Sequence, residues 1–391
     1  MRRALELAEL GAGHVAPNPM VGAVIVKDGR VIGEGWHERF GEAHAERNAL
    51  AHCTEDPRGA TAYVTLEPCC HHGHQPPCTD ALIEAGIARV VAGARDVNPL
   101  VAGHGLELLR KAGIEVEEGV LAEESERLNA AFFKHMRTGL PLVTLKWAMT
   151  LDGKTAVTPD APARISGERS WWRVQEQRGR VGAVVVGSGT VLADDPLLTC
   201  RIGRRNPLRV VVDGRLRTPL GSALVTSVSE GAVVVATIPD PDAADPEAHA
   251  ARARALRAAG VEVLEVASAG LGRHGEPGRG TGAGTARAQV ALPELLRALA
   301  DEHGIDSVVV EGGSTLAWSL VSEGLADRVE AYVAPTLLGG SGAPTPLGGA
   351  GFPSPDAAPR LERVEVERLG QDLLVAGDVV YPKGVRPCSR D

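Results

Sequence analysis

The stretch "LEPCCHHGHQPPC", residues 66–78, gathers three cysteines and three histidines, in a chain of 391 residues that has only 6 and 12 of them in all. A closed structural metal site, a disulfide loop and half of a catalytic metal site would each use such a cluster. The flanking sequence separates them and, with them, the fold.

Upstream stands "GEAHAE", residues 41–46, where Gly41 suits a loop entering a helix. Helical residues two apart diverge by about 200° in projection. His44 and Glu46 can therefore border one pocket only at the start of that helix. One histidine and two cysteines meet the count of a catalytic zinc, which keeps a fourth position open, whereas a structural zinc is closed by four ligands. A nearby glutamate is then free to move protons, because the metal lowers its water's pKa to about 7. H-x-E followed by P-C-x-x-C marks zinc deaminases of bases. "HAE" and Pro68-Cys69 fit, but the next separated cysteine is Cys78, after Pro76-Pro77. A closed site built from Cys69, Cys70, Cys78 and one histidine would explain the cluster, though not "HAE".

Composition narrows the setting. The length predicts two domains, and 44% hydrophobic with 23% charged residues is ordinary globular chemistry. With aromatics at 3%, the cores must be Val, Ala and Leu. A net charge of -9 argues against a nucleic-acid partner. No apolar run is long enough for a membrane span. "MRRALELAELGAG" reads as an amphipathic helix rather than a signal peptide, so a cytoplasmic protein with reduced cysteines is expected.

Periodicity predicts alternating strands and helices, an α/β protein. "VGAVIV" and "VIGEGW" flank a hairpin turn at Gly29. "HAERNALAHC" reads as a helix, "TAYVTLEP" as a buried strand, and "ESERLNAAFFKHMRTG" as one closing helix. The boundary is expected at "TGLP", 138–141. Beyond it, "GAVVVG", "LRVVVDG", "GAVVVATI", "VEVLEV" and "DSVVVEGG" read as strands, and "LERVEVERLGQDLLVAGDVVYP" as two antiparallel strands. The Gly/Ala/Arg-rich segment at about 268–288 reads as a flexible insertion. "GSGT", 187–190, follows an apolar strand, but "VLADDP" comes where a Rossmann fingerprint needs a helix. "VEGGSTLAWSL" offers Gly312-Gly313, then Ser314 as N-cap and a helix whose start suits a phosphate.

In their order, "APNPMVGAVIV", "GEGWH", "HAE", "EPCCHHGHQPPC" and "DVNPLVAGHG" resemble the first half of the bifunctional riboflavin-biosynthesis deaminase-reductase family. "LKWAMTLDGKTA", "GSGTVLADDPLLT", "RVVVDGRLRTP" and "VEGGSTLA" resemble its second half. The resemblance implies a cytidine-deaminase-like layered domain over 1–139 and a dihydrofolate-reductase-like domain over 140–391. It implies one catalytic zinc on His44, Cys69 and Cys78, with Glu46 as proton shuttle. Asn18, His37, His71 and His74 would line the substrate pocket, with Asp96 and Asn98 as weaker candidates. NADPH would meet Ala148, Thr190, Asp194, Gly312 and Gly313. Arg178, Leu198, Arg201 and Glu311 would face the substrate, the arginines suiting its 5′-phosphate. Lys146, a cation, would stabilise a developing alkoxide, and Asp152 is a further pocket candidate. The implied partner is a small pyrimidine ribotide, with homo-oligomerisation expected. One departure stands out: "APARIS" puts Pro162 and Arg164 where the family has serine and tryptophan. It supports an alternative in which the second domain only binds a nucleotide as a regulatory module.

Overall fold

The computed structural model describes residues 1–72, 75–98, 101–158, 164–239, 246–269 and 289–382. The chain divides into two compact units, Met1–Gly139 and Leu140–Asp391. Among the described residues no helix is long and apolar enough to cross a membrane.

The first unit begins with α1 (Arg2–Glu9), β1 (Gly22–Lys27), β2 (Arg30–Trp36) and α2 (Ala45–Ala51). It continues with β3 (Thr61–Leu66), α3 (Cys78–Glu84), β4 (Arg89–Ala94) and α4 (His104–Lys111). It closes with β5 (Glu115–Glu118), α5 (Ala122–Leu128) and α6 (Ala130–Thr138). The sheet order is β2-β1-β3-β4-β5, with β1 antiparallel to both neighbours and β3, β4 and β5 parallel. Asp28 (φ 50°) and Gly29 (φ 74°) make the tight hairpin turn between β1 and β2.

Helix α2 lies directly on the backbone of β2. A Cβ on Gly35 would stand 2.3 Å from the Ala49 nitrogen and 2.8 Å from the Ala45 oxygen. Those contacts are with backbone, which cannot swing aside. Gly35→Ala is therefore expected to push α2 off the sheet, costing about 1–3 kcal/mol, and to displace His44 and Glu46 at its start. Zinc content and the denaturation midpoint of the first unit check this; a variant that keeps both at wild-type values would contradict it.

The closing helix expected over 124–139 is two helices meeting at Asn129 (φ −105°, ψ 24°). Asn129 is buried, and its amide pairs with the peptide of Met20: the Met20 nitrogen donates to Oδ1 at 2.7 Å, and Nδ2 donates to the Met20 oxygen at 2.9 Å. This long-range pairing holds the break, a tertiary override of local helix propensity.

The second unit opens with β6 (Leu142–Thr150), α7 (Glu168–Arg178), β7 (Ala183–Gly187), α8 (Ser188–Asp194) and β8 (Leu208–Val212). Then come α9 (Ala223–Thr226), β9 (Val233–Thr237), α10 (Pro246–Ala258), β10 (Glu262–Glu265), β11 (Ser268–Ala269) and β12 (Gln289–Val290). The remainder is α11 (Leu292–His303), β13 (Ser307–Glu311), α12 (Ser314–Ser322), β14 (Arg328–Ala334), β15 (Arg360–Leu369) and β16 (Asp372–Val380). The sheet runs β10-β9-β8-β7-β13-β6-β14-β16-β15, parallel as far as β14 and antiparallel through the last two strands. Ala183 and Val185 enter one apolar cluster and Val184 and Val186 the other, so β7 is covered on both faces.

Two local expectations are corrected. A helix does follow β7 immediately, because α8 starts at Ser188; it is short, ending at Asp195 in the left-handed region (φ 41°) before Pro196. The residue capping α12 is Gly313, at φ 85°, which glycine tolerates and serine does not, so Ser314 is the first helical residue. Of the insertion at 268–288, only Ser268 and Ala269 are described, paired with Val290 and Gln289; the rest, like Pro162, lies outside the described residues.

Candidate functional site

In the first unit three elements bring the donors together. His44 is the N-cap of α2, Cys69 sits in the loop after β3, and Cys78 opens α3. Their ligand atoms lie within 4.8 Å of one another. His44 Nδ1 is 3.5 Å from Cys69 Sγ and 3.4 Å from Cys78 Sγ. The Cys78 nitrogen donates to Cys69 Sγ at 3.4 Å. The Cys78 thiol and His44 donate to Cys69 and hold it down to about 4. Cys78 is pushed up, first by that thiolate and then by burial. Two sulfurs and one imidazole nitrogen form a donor set that zinc favours, and binding would displace the remaining thiol proton. Cys70 is not among the three donors.

Glu46, in the first turn of α2, is 3% exposed. Burial raises its pKa, and the charge on Cys69 raises it further. His37 is buried too, with its ring centroid 5.2 Å from that of His44. Its Nδ1 lies 3.1 Å from the Ala43 oxygen, which can only accept, so Nδ1 carries the proton and Nε2 accepts from Asn18 Nδ2 at 3.1 Å. Burial lowers the His37 pKa and favours this neutral form. His71 is half-buried, and among the described residues its buried Nδ1 has no hydrogen-bond partner. Asp96 is buried and pushed up to about 6, chiefly by desolvation. Its Oδ1 accepts from the Asn98 nitrogen at 2.7 Å. His74 lies outside the described residues.

Glu67 has a structural role that sequence reasoning missed. Its buried carboxylate accepts from the nitrogens of Asp96 (3.2 Å), Gly103 (2.9 Å) and Leu106 (3.2 Å), pinning the chain beside Cys69. The available signal was a charged residue directly ending the apolar run of β3.

In the second unit a cavity of about 1110 Å³ opens at the carboxyl ends of the parallel strands, where open α/β sheets bind ligands. Lys146, Ala148, Arg164, Arg178, Thr190, Asp194, Leu198, Glu311, Gly312 and Gly313 all line it. Glu311 is 8% exposed and takes both arms of Arg178, Nε to Oε1 at 2.7 Å and Nη2 to Oε2 at 2.9 Å. Lys146 Nζ is 3.6 Å from Oε2. Burial alone would raise the Glu311 pKa, but Arg178 and then Lys146 outweigh it and hold the carboxyl at about 2. The Arg178 fork expected for a phosphate is therefore engaged by Glu311. Leu198 is buried in the cavity wall at φ 56°, a strained backbone for leucine.

Two candidates fall elsewhere. Arg201 is exposed, is not part of the lining, and lies over the Trp171 ring at 5.3 Å. Asp152 accepts from Thr150 Oγ1 (2.5 Å) and from the nitrogens of Leu338 (3.1 Å) and Gly339 (2.6 Å), so it staples two loops rather than lining the cavity. The junctions after β7 and β13 adjoin: a Cβ on Gly312 would meet Thr190 Oγ1 at 3.2 Å, and one on Gly313 would lie 3.9 Å from the Gly187 nitrogen. Bare backbone at this crossing fits the diphosphate of a dinucleotide.

Comparison with known proteins covers both units. Residues 1–94 match the model of the cytidine and deoxycytidylate deaminase zinc-binding region, and residues 141–375 that of the RibD C-terminal domain. The riboflavin biosynthesis protein RibD of Actinobacillus pleuropneumoniae is 45% identical over 98% of this chain and 95% of its own length. The RibD of Escherichia coli K12 is 38% identical over 95% and 96%. The Acinetobacter baumannii RibD structure superposes with a TM-score of 0.81 at 37% identity, covering 97% of each chain. A Thermotoga maritima structure described as a diaminohydroxyphosphoribosylaminopyrimidine deaminase/5-amino-6-(5-phosphoribosylamino)uracil reductase superposes at 0.79 with 38% identity, again over 97% of each. The first unit is thus cytidine-deaminase-like and the second has the expected dihydrofolate-reductase-like architecture. Matched along nearly its whole length, the chain belongs to the RibD family of bifunctional riboflavin-biosynthesis deaminase-reductases.

Proposed function

We propose that the first unit hydrolyses the 2-amino group of 2,5-diamino-6-ribosylamino-4(3H)-pyrimidinone 5′-phosphate, and that the second reduces the ribose of the product to ribityl with NADPH. The observation that carries this reading is the convergence of His44, Cys69 and Cys78 beside the buried Glu46. When bound by these three donors, zinc supplies a Lewis acid that makes water nucleophilic at neutral pH. Glu46, its proton affinity raised by burial, takes a proton from water and returns one to the departing ammonia. Asn18 and neutral His37 orient the pyrimidine, and His71 Nδ1, which has no partner among the described residues, offers it a further polar contact. His74, at the loop position where the family often carries a basic residue, is assigned to the substrate's phosphate by that resemblance alone.

When bound in the cavity of the second unit, NADPH supplies the hydride. Ala148, Thr190, Asp194 and the Gly312-Gly313 turn form its walls. Lys146, held by Glu311, places a cation where negative charge develops on the reduced carbonyl oxygen. Leu198 and Glu311 bound the sugar. Acting on a small ribotide, the protein needs no nucleic-acid partner.

A paired assay of ammonia release and NADPH oxidation tests both halves. Ammonia is expected without NADPH, with oxidation starting once NADPH is added. Stripping the metal should stop ammonia release and spare reduction of already deaminated ribotide. Lys146→Ala should slow reduction by about 10²–10³-fold without weakening NADPH binding. Zinc-loaded protein that releases no ammonia from this ribotide would overturn the substrate assignment. Ammonia without oxidation would leave the second unit a nucleotide-binding module and make Arg164→Trp the first reversion to try.

A further inference from the structure

We infer that Arg47 is a positioning residue for the candidate metal site: its guanidinium clamps the carbonyls of Pro76 and Pro77 and so holds Cys78 in place beside His44 and Cys69. This rests on the reading that His44, Cys69 and Cys78 hold zinc. Cys69 and Cys78 stand nine positions apart, where the P-C-x-x-C signature leaves only two residues between its cysteines. In the short form one tight turn fixes both sulfurs. A longer loop costs more chain entropy to close, and it leaves the placing of its far end to contacts with other elements. Two contacts join the ends of this loop to each other: the Thr79 nitrogen donates to the Cys69 oxygen at 3.2 Å, and the Cys78 nitrogen to Cys69 Sγ at 3.4 Å. They set Cys78 against Cys69. They do not set it against α2, which carries His44 at its start.

Arg47 makes that connection. It is the third residue of α2, three positions after His44, and is half-buried. Its Nε donates to the Pro76 oxygen at 3.2 Å and its Nη2 to the Pro77 oxygen at 3.1 Å. The fork therefore spans two consecutive carbonyls directly before Cys78, a geometry that a planar guanidinium offers and an ammonium does not. A cation in the first turn runs against the dipole of its own helix, so what Arg47 gains it gains from the loop. Pro77 is the N-cap of α3 and makes no side-chain cap. Gln75 adds a second tie between the same segments, its Nε2 donating to the Gly41 oxygen at 3.2 Å. His44 heads one helix, Cys78 opens the next, and Arg47 bridges the two starts.

Competition for zinc between the full-length protein and a chromogenic chelator tests the assignment. Arg47→Met should weaken zinc affinity by about 10–100-fold, the usual effect of removing a group that supports metal ligands. The urea midpoint of the first unit, measured without metal, should stay near the wild-type value. A midpoint that falls along with the affinity would overturn the inference by making Arg47 a purely structural residue. Gln75→Ala should weaken zinc by about 2–10-fold, the loss of one neutral hydrogen bond, and supplies the reading should Arg47→Met fail to fold. Arg47→Lys should fall between wild type and Arg47→Met, keeping the charge without the fork. Full wild-type affinity in Arg47→Lys would overturn the clamp by assigning the effect to charge alone. Wild-type affinity in Arg47→Met would overturn the inference and leave the zinc site intact; a raised KM for the ribotide in that case would assign Arg47 to the substrate. A wild-type protein that binds no zinc would fail the zinc reading itself, and this inference with it.

Discussion

Glu46→Gln is expected to slow ammonia release by about 10²–10⁴-fold, the usual contribution of a positioned general acid-base, while the protein keeps a full complement of zinc. Glutamine matches the shape of glutamate but cannot carry a proton. The candidate metal donors are His44, Cys69 and Cys78, none of which the substitution changes. Glu46 opens the first turn of a helix whose N-cap is His44, so one short stretch positions both the ligand and the base. Being 3% exposed, the neutral amide also removes a costly buried charge, so the variant should be no less stable than wild type. NADPH oxidation with already deaminated ribotide is the internal control and should be unchanged. Ammonia release at the wild-type rate would sink the role given to Glu46; loss of zinc would show that it supports the site instead.

Arg178→Met is expected to destabilise the second unit by about 3–5 kcal/mol, the cost of leaving a buried charge without its principal partner. Glu311 is 8% exposed and would keep only Lys146, at 3.6 Å. The double variant Arg178→Met/Glu311→Gln should regain most of the loss without regaining reductase activity. The pH dependence follows in sign. The Glu311 carboxyl is held at about 2, below the ordinary 4.5, because Arg178 and Lys146 outweigh the effect of burial. Its contribution, about 3 kcal/mol for a shift of that size, is complete above pH 4.5 and disappears as pH falls toward 2. The gap between wild type and Arg178→Met should therefore close over that interval, as read from urea midpoints of the second unit. A single variant costing less than about 1 kcal/mol, the range of an exposed pair, would mean that the pair does not hold the cavity floor.

The limits of sequence reading are visible in particular residues. The hairpin at Asp28-Gly29 and the parallel strands of the second unit were legible because each follows from periodicity and turn chemistry over a few positions. The break at Asn129 was not legible, because its cause is the Met20 peptide at the other end of the unit. The start of α8 was misread for a related reason: "SGTVLAD" is too short and too poor in helix formers to announce a helix.

At the sites the division is the same. The sequence by itself determined the family and, through that resemblance, proposed the donors His44, Cys69 and Cys78 with Glu46 beside them; these three donors are brought together in the fold. Only the tertiary structure decided that Arg178 lies against Glu311, that Arg201 stacks on Trp171 outside the cavity lining, and that Asp152 joins two loops. A side chain's charge is written in the sequence. Its partner is chosen by strands and loops that lie far apart in the chain, as with Arg178 and Glu311, 133 residues apart, and its burial by what packs over it.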